Sequence, residues 1–287
     1  MQVSGKEIVV ENKLLRTGRI EQEWYEDIEN PELLIKAIKD TKAEVDLFTF
    51  WQRLPDTQPR FPYYMEWDSI AALPIKTYDY WLSVQVDSNT RRAVKRAAKN
   101  GITVRMSNFT ERFVNGMTNI FNETPVRQGR PFPHYGKDAE MVRKGFSRYL
   151  FREDLIGAYL GEELIGFIML GHAGGFAILG QIISMIKHRD KSPNNALIAK
   201  AVEVCAEKKI PYLVYSMWGR GSLREFKRRN GFEKIDLPRY YVPLTTKGRF
   251  ALSLRLHRRL SEMLPERVFE RLINIRSKWY SFRYGNM

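Results

Sequence analysis

The segment HRDKSPNNALIAKAV, residues 188–202, changes within a few residues from a polar, basic run to a helical pattern. Pro193 suits the first turn of a helix, because the N–H that proline lacks would have no partner there anyway. The other N–H groups of a first turn are free, and the helix dipole makes that end positive. The segment therefore predicts a helix that begins near Pro193, preceded either by an anion-binding loop or by a simple helix cap.

Strand patterns flank this helix on both sides. Residues 154–170, DLIGAYLGEELIGFIML, predict two strands joined around Gly161–Glu162, and residues 176–186, FAILGQIISMI, predict a third. After the helix come a strand in PYLVYSMW (211–218), a short helix in SLREFKRRNGF (222–232) and a last strand in RYYVPLT (239–245). This order predicts an α/β sheet with a long central helix.

The first half of the chain also mixes helices and strands. We expect helices in residues 30–43, 88–101 and 110–124, and strands in residues 44–54, 63–75 and 102–106. Ser88 or Asn89 is expected to cap the second helix, and Asn108 or Thr110 the third. The predicted domains are an N-terminal α/β domain (1–105), a catalytic domain (106–246) and a basic helical tail (247–287).

One uncharged stretch, residues 164–186, is long enough to cross a membrane. Turn residues at 172–175 interrupt it, so two buried strands of a hairpin are predicted instead. No secretory signal is visible, so the protein is expected to be cytoplasmic. A peripheral position at the inner face of the membrane is the alternative. Cys205 is the single cysteine and lies on an apolar helix face, which excludes a disulfide framework. No residue spacing suggests a metal site.

The net charge of +14 is the most unusual global property. From Lys247 to the end there are ten Lys/Arg and three Asp/Glu, a net of +7 and thus half of the excess. Basic surfaces attract nucleic acid, anionic lipid or phosphorylated ligands, although a solvated basic face is the simpler alternative.

The motifs from residue 108 to residue 245 resemble the GNAT acyltransferase superfamily. LGEELIGFIML (160–170) is similar to the central hairpin of that family, and SLREFKRRNGFEKI (222–235) to its late helix, which closes with Gly-Phe. In the acyl-CoA signature Arg-x-x-Gly-x-Gly/Ala, Arg189 matches the arginine, whereas Ser192 and Asn194 stand at the two glycine positions. Phe226 stands where many members have a tyrosine that protonates the leaving thiolate.

A narrower resemblance covers most of residues 40–245. The FemX/FemAB-like proteins transfer amino acids from aminoacyl-tRNA to peptidoglycan precursors. SPNNAL (192–197), EFKRRNGF (225–232) and RRAVKRAAKNGITV (91–104) are similar to their motifs. The resemblance implies a GNAT-like mixed sheet with a central helix, in two GNAT-like domains of which the first is smaller or degenerate.

The same resemblance implies where a donor would bind. Backbone groups near Ser184, between two splayed strands, would contact the acyl group and its oxyanion. Donor phosphates would meet the loop and helix start that follow. The expected donor-binding residues are Ile186, Lys187, His188, Arg189, Lys191, Ser192, Asn194 and Asn195.

The loop NETPVRQGRPFPHYGKD, residues 122–138, lies where the family places its acceptor-binding segment. Arginines there suit a carboxylate or phosphate, and aromatic rings suit an apolar or sugar wall. Glu123 or His134 is the candidate base, and the alternative is a surface loop held together by its own aromatics. The expected acceptor-binding residues are Arg127, Gln128, Arg130, Phe132, Tyr135 and Tyr215.

The expected activity is transfer of an acyl group from acyl-CoA, such as acetyl-CoA, to an amine or hydroxyl of a small or cell-envelope-linked acceptor. A FemX-like transfer from aminoacyl-tRNA is the alternative, favoured by the charge and the missing glycines. A non-catalytic GNAT-fold binding module on membrane or nucleic acid is the third. Residues 247–287 alternate apolar and basic residues, which suits an anionic membrane surface or two helices packed on the protein.

Overall fold

The structure is a computed structural model that describes residues 1–41, 44–148, 150–258 and 266–284. The chain forms two compact units, Met1–Ile70 with Lys234–Leu264 and Ala71–Glu233 with Pro265–Met287. Residues 71–105, expected in the N-terminal domain, belong to the second unit because the strand at 102–107 pairs with a strand of that unit. The expected tail is divided between the two units.

The predicted helices and strands between residues 30 and 245 occur in the predicted order. The strands are β1 (Gln2–Val3), β2 (Lys6–Glu11), β3 (Thr17–Ile20), β4 (Leu47–Trp51), β5 (Tyr64–Pro74), β6 (Ile102–Ser107), β7 (Val126–Arg127), β8 (Arg130–Pro131), β9 (Glu153–Leu160), β10 (Glu163–His172), β11 (Ala177–Ser184), β12 (Tyr212–Met217) and β13 (Glu233–Pro243). The helices are α1 (Pro31–Asp40), α2 (Tyr78–Tyr80), α3 (Ser88–Lys99), α4 (Glu111–Phe121), α5 (Ala139–Phe146), α6 (Pro193–Glu207), α7 (Gly221–Arg229), α8 (Thr246–Ser253) and α9 (Glu266–Tyr284). The elements β1–β3, α2, β7 and β8 were not predicted.

In the first unit the strand order is β1-β2-β3-β4-β13-β5. β3 pairs with β4 in parallel, whereas β2 with β3 and β4 with β13 are antiparallel. Helix α1 begins at Pro31, and the Asn30 side chain accepts a hydrogen bond from the N–H of Leu33. Phe48 and Tyr240 are fully buried in the core of this unit.

In the second unit the order is β12-β11-β10-β9-β6, antiparallel except for β11 and β12. Helices α4 and α6 both contact β10, and nearly every residue of β10 is buried. Burial on both faces explains why residues 164–186 carry no charge. They are β10 and β11, so the predicted hairpin and the predicted fold class are confirmed.

Two helix starts test the predicted caps. Asp87 caps α3 by accepting a hydrogen bond from the N–H of Thr90, so the expectation of Ser88 or Asn89 is wrong. Asp87 has the extended backbone that a cap requires, whereas Ser88 is already helical. Thr110 caps α4, as one of the two candidates predicted. No helix in the described part of the chain is long and apolar enough to cross a membrane.

Candidate functional site

The strands β11 and β12 separate part-way along their length. They pair only at Ala177 with Leu213 and at Ile178 with Val214, although β11 continues to Ser184 and β12 to Met217. The resemblance implied splayed strands near Ser184, and the separation includes that residue. It leaves an opening in the sheet beside the C-terminal ends of both strands.

A half-buried ion pair, Glu123 with Arg127, lies on the β11 side of this opening. The Glu123 carboxylate accepts hydrogen bonds from Ile186 N at 2.6 Å, Lys187 N at 2.8 Å and Arg127 Nη2 at 2.9 Å. Arg127 also donates to the carbonyl oxygen of Ser184 at 2.9 Å. Burial is the main influence on the Arg127 guanidinium and lowers its pKa. The predicted base and the predicted acceptor-binding arginine are therefore bonded to each other.

The backbone N–H groups after Ser184, which were expected to bind the oxyanion, already have hydrogen-bond acceptors within the protein. Met185 N donates to Ile165 O at 2.8 Å, which ties the end of β11 to β10. The next two N–H groups point at Glu123, as described above. The Ser184 side chain is buried beside Gly166, where an added Cβ would lie 2.9 Å from the Ser184 Cβ. The sequence could not show this use of the N–H groups, because Glu123 is about 60 residues away.

The start of α6 takes an unusual backbone form. Ser192 has φ 63° and ψ 42°, a left-handed conformation that favours glycine, and its side chain makes no cap to the helix. Its Oγ instead accepts a hydrogen bond from Arg96 Nη2 at 2.8 Å. The Asn194 Oδ1 is buried without a hydrogen-bond partner, and Asn195 donates to the Asn230 side chain at 3.2 Å. The backbone thus keeps a glycine-like shape while side chains fill the space around it.

Basic side chains of the turn at residues 186–191 contact the carboxylate of Glu163. Lys187 Nζ lies 2.8 Å from the Glu163 carboxylate, and this hydrogen bond is the main cause that lowers the pKa of Glu163. His188 Nε2 is 3.8 Å from the same carboxylate, and Lys191 Nζ is 3.5 Å from His188 Nδ1. Among the basic donor-site candidates, Lys187 and Arg189 are exposed, whereas His188 and Lys191 are half-buried.

The predicted acceptor loop is a small hairpin, β7 and β8, followed by an aromatic cluster. Gln128 (φ 52°) and Gly129 (φ 67°) form its turn, and Arg130 and Tyr135 are exposed. Phe132 packs over Arg127, with its ring centre 5.2 Å from the guanidinium.

His134 stacks on Phe121 with ring centres 4.7 Å apart and also contacts Phe132 and Phe146. Burial, and then the charge of Lys137, lower its pKa. Its Nδ1 lies 3.2 Å from Lys137 Nζ, so that nitrogen accepts a proton already held by the lysine. Phe121 belongs to α4 and Phe146 to α5, so rings of the neighbouring helices hold the loop together with its own Phe132. The role of His134 as a base stays a prediction.

Lys227 is a functional candidate that the sequence analysis overlooked. It lies on α7 and is only 2% exposed, and its ammonium donates to Met217 O at 2.5 Å. The ammonium also sits 4.8 Å from the centre of the Tyr215 ring. Desolvation lowers the pKa of Lys227 to about 8 and raises the pKa of Tyr215 to about 12. The sequence signal for Lys227 is the FK pair in EFKRRNGF, which places a lysine directly after Phe226.

The location of Lys227 matters because Met217 and Tyr215 lie beyond the last residue of β12 that pairs with β11. A buried cation is therefore held at the separated end of the strand. Buried lysines with lowered pKa values are expensive to maintain and concentrate at functional positions.

A groove of about 850 Å³ is lined by residues of β6, α4, β9 and β10. Tyr159 OH is 2.9 Å from Ser107 Oγ, and the Arg105 guanidinium covers the Tyr159 ring at 4.4 Å. Arg112 pairs with Glu162 at the opposite wall. The groove also reaches Glu163, the partner of Lys187.

The excess charge is confined to one unit. The first unit has 16 Lys/Arg and 16 Asp/Glu, which leaves 31 and 17, a net of +14, for the second unit. Five of these basic residues lie on α3, which packs against α6 and the 186–191 turn. Within the described residues, no group of three or more His, Cys, Asp or Glu side chains could hold a metal ion.

No known protein family matches the chain, and no curated protein matches it either. Among solved structures it is similar to FemX, with a TM-score of 0.57 and 11% identity over 86% of each chain. It is also similar to L-PGS from Bacillus licheniformis, with a TM-score of 0.55 and 14% identity over 90% of this chain and 89% of that one. The chain has a GNAT/FemX-like fold.

A further solved structure supports the same fold. The C-terminal domain of a putative lysylphosphatidylglycerol synthetase from Agrobacterium fabrum matches with a TM-score of 0.56 and 11% identity, covering 86% of this chain and 83% of that chain. In this GNAT/FemX-like fold the predicted central hairpin is β9–β10, the central helix is α6 and the late helix is α7. At such low identities the similarity establishes the fold, and the chemistry rests on the residues.

Proposed function

We propose that this protein is an acyltransferase that uses an ester donor, aminoacyl-tRNA, and forms an amide on an amine acceptor. The observation that carries the proposal is the buried ammonium of Lys227 at the separated end of β12. With a pKa of about 8, this group is mostly protonated at pH 7. It can therefore act both as a cation and as a proton donor.

The reaction requires such a group. The acceptor nitrogen attacks the ester carbonyl carbon, and negative charge develops on the carbonyl oxygen. This attack forms the C–N bond, and collapse of the intermediate re-forms the carbonyl and breaks the C–O bond. The departing ribose oxygen takes up one proton and the nitrogen loses one, so the reaction yields the amide and the free ribose hydroxyl with no net change in protons. Lys227 is suited to stabilise the oxyanion or to supply the proton to the leaving oxygen.

An acid at this position is more useful for an ester donor than for a thioester donor, because the two donors release different leaving groups. A ribose alkoxide is far more basic than a thiolate, whose conjugate thiol has an ordinary pKa of about 8.5. A thiolate can depart without help, whereas an alkoxide needs an acid. Phe226 stands where the family resemblance implies a tyrosine for the thiolate, and the next residue, Lys227, supplies an acid instead.

The helix start also favours this donor. Glu123 already occupies the N–H groups of Ile186 and Lys187, and Ser192 is bonded to Arg96. These contacts narrow the space in which a pyrophosphate would approach the backbone. Lys95, Lys99 and Arg189, in contrast, are exposed on α3 and the adjoining turn, where they suit the phosphates of a polynucleotide.

The test compares donors and one pair of variants. Binding of aminoacyl-tRNA, deacylated tRNA and coenzyme A is measured at several salt concentrations. Loss of the amino acid from total aminoacyl-tRNA is then followed with a mixture of amine acceptors. We expect tRNA binding that weakens steeply with salt, and acceptor-dependent deacylation that Lys227→Met reduces by at least about 100-fold, the range of general acid catalysis.

The matched control is Lys200→Met on α6, which removes a lysine paired with Glu203 rather than a buried cation. It should leave deacylation unchanged. Saturable binding of coenzyme A, with acyl transfer that survives Lys227→Met, would overturn the ester donor in favour of acyl-CoA. Binding of tRNA without turnover of either donor would indicate a non-catalytic module.

A further inference from the structure

The exposed face of α9 carries a regular apolar stripe. Its members follow one another at intervals of four and three residues, which brings them onto one side of a helix. All of them are exposed, Ile275 at 66% and Phe282 at 78%. The stripe consists of Val268, Leu272, Ile275, Trp279 and Phe282.

A different side of α9 holds the helix on the protein. Ile273, Ser277 and Tyr280 are half-buried, and α9 contacts β7 and β8. Ser277 lies so close to Gly129 that a Cβ there would be 2.6 Å from the Ser277 Oγ. The stripe is therefore not the surface that anchors α9 to its own chain.

Basic residues border the stripe on both sides. At 100° per residue, Arg271 and Lys278 fall on one side of the stripe and Arg276 and Arg283 on the other. Residues 271–284 contain these four cations and no acidic residue. The Arg283 guanidinium lies 5.2 Å from the Trp279 ring.

We infer that this face of α9 lies on an anionic lipid surface. The apolar side chains would enter the boundary between headgroups and acyl chains, and the flanking cations would reach the headgroups. Each basic residue near such a surface strengthens binding by about fivefold. A second copy of α9 fits less well, because two stripes in contact would bring eight cations together.

This surface gives the protein an orientation on lipid. α9 rests on β7 and β8, which lie within the acceptor loop, so lipid contact would hold that loop near the membrane. If the proposed function is correct, this arrangement favours an acceptor whose amine is carried on a lipid. The docking itself does not depend on any catalytic step.

Vesicle co-sedimentation of the full chain, without donor, tests the docking. We expect binding to vesicles of phosphatidylglycerol and phosphatidylcholine, weak binding to phosphatidylcholine alone, and a loss of at least about tenfold for Ile275→Glu. The matched control is Leu33→Glu, because Leu33 is also an exposed apolar residue, at 65%, on helix α1. It makes the same charge change and should leave binding intact.

Two further measurements distinguish a lipid surface from a second copy of the chain as the partner of the stripe. Quenching of tryptophan fluorescence by brominated phosphatidylglycerol should fall in Trp279→Phe, because the ring enters the lipid. Sedimentation velocity without lipid should give a monomer. Equal binding by Ile275→Glu and the parent would overturn the inference, as would a dimer that Ile275→Glu dissociates. Lipid binding without any acyl transfer would leave this inference standing while the proposed function fails.

Discussion

Replacing Lys227 by methionine should stabilise the protein while removing transfer activity. Methionine nearly matches the volume of the lysine stem and needs no hydration, so it suits a position that is 2% exposed. The ammonium, in contrast, loses its hydration on folding, and burial lowers its pKa from 10.5 to about 8. If Lys227 is kept charged and buried for its function, it is expected to lower the free energy of unfolding.

The magnitude follows from the pKa. At about 1.36 kcal/mol per pKa unit, a charged Lys227 costs about 3 kcal/mol of folding free energy at pH 7. Methionine would leave the Met217 carbonyl without its donor, which costs about 1 kcal/mol. The variant should therefore be about 2 kcal/mol more stable, a rise of about 4–8 °C in the melting temperature of a unit of this size.

The stability difference between Lys227→Met and the parent should depend on pH, because folding lowers the pKa of Lys227. Because the folded-state pKa of Lys227 is lowered, its penalty is complete below pH 8 and disappears as the pH rises towards 10.5. At pH 9.5 about 1.4 kcal/mol of the penalty remains, so the advantage of methionine shrinks to a few tenths of a kcal/mol.

The test is urea and thermal unfolding of the parent and of Lys227→Met, each at pH 7 and at pH 9.5. Other titrating groups contribute equally to both proteins, so they cancel in the difference between the two free energies of unfolding. Lys227→Arg, which keeps a charge at every pH, should show no such gain. A methionine variant that is less stable than the parent by the same amount at both pH values would refute the reasoning. Lys227 would then be a structural hydrogen-bond donor with an ordinary pKa.

Two further predictions concern the acceptor loop. Glu123→Ala should destabilise the second unit by about 2 kcal/mol, because it leaves the half-buried Arg127 without its carboxylate partner. The double variant with Arg127→Met should lose less than the sum of the two single variants. Additive losses in a double-mutant cycle would contradict the pairing. His134 is half-buried with a lowered pKa, so the protein should lose stability as the pH falls below about 6.5, where the unfolded chain takes up a proton first. Replacing His134 by phenylalanine should remove that part of the dependence, as followed by thermal midpoints from pH 7.5 to pH 5, and an unchanged dependence would contradict this assignment.

The sequence predicted the elements around the central helix because each rests on a local signal. Pro193 marks the start of α6, Gly161 marks the turn between β9 and β10, and uninterrupted apolar runs mark strands buried on both faces. Cap positions were predicted less well. Asp87 precedes the predicted helix and competes with Ser88, and only the backbone conformation decides between neighbouring polar residues.

The candidate site was predicted as a set of segments rather than as a set of contacts. The segments containing Glu123, Arg127 and Ser184 are indeed brought together. The sequence did not show that Glu123 and Arg127 bond to each other, and their expected roles towards a ligand stay predictions. His134 packs against rings of α4, α5 and its own loop, and this burial lowers its pKa. The sequence could not show this packing, because Phe121 and Phe146 lie outside the loop.

The sequence by itself determined the order of helices and strands, the charge of the chain and the family that it resembles. These properties depend on composition and on spacings of a few residues, which are written directly in the chain. The tertiary structure alone decided that all of the net charge falls in one unit and that Lys227 is buried. The burial of a charge depends on which distant segments surround it, and the energetic cost of that burial is what gives Lys227 its lowered pKa.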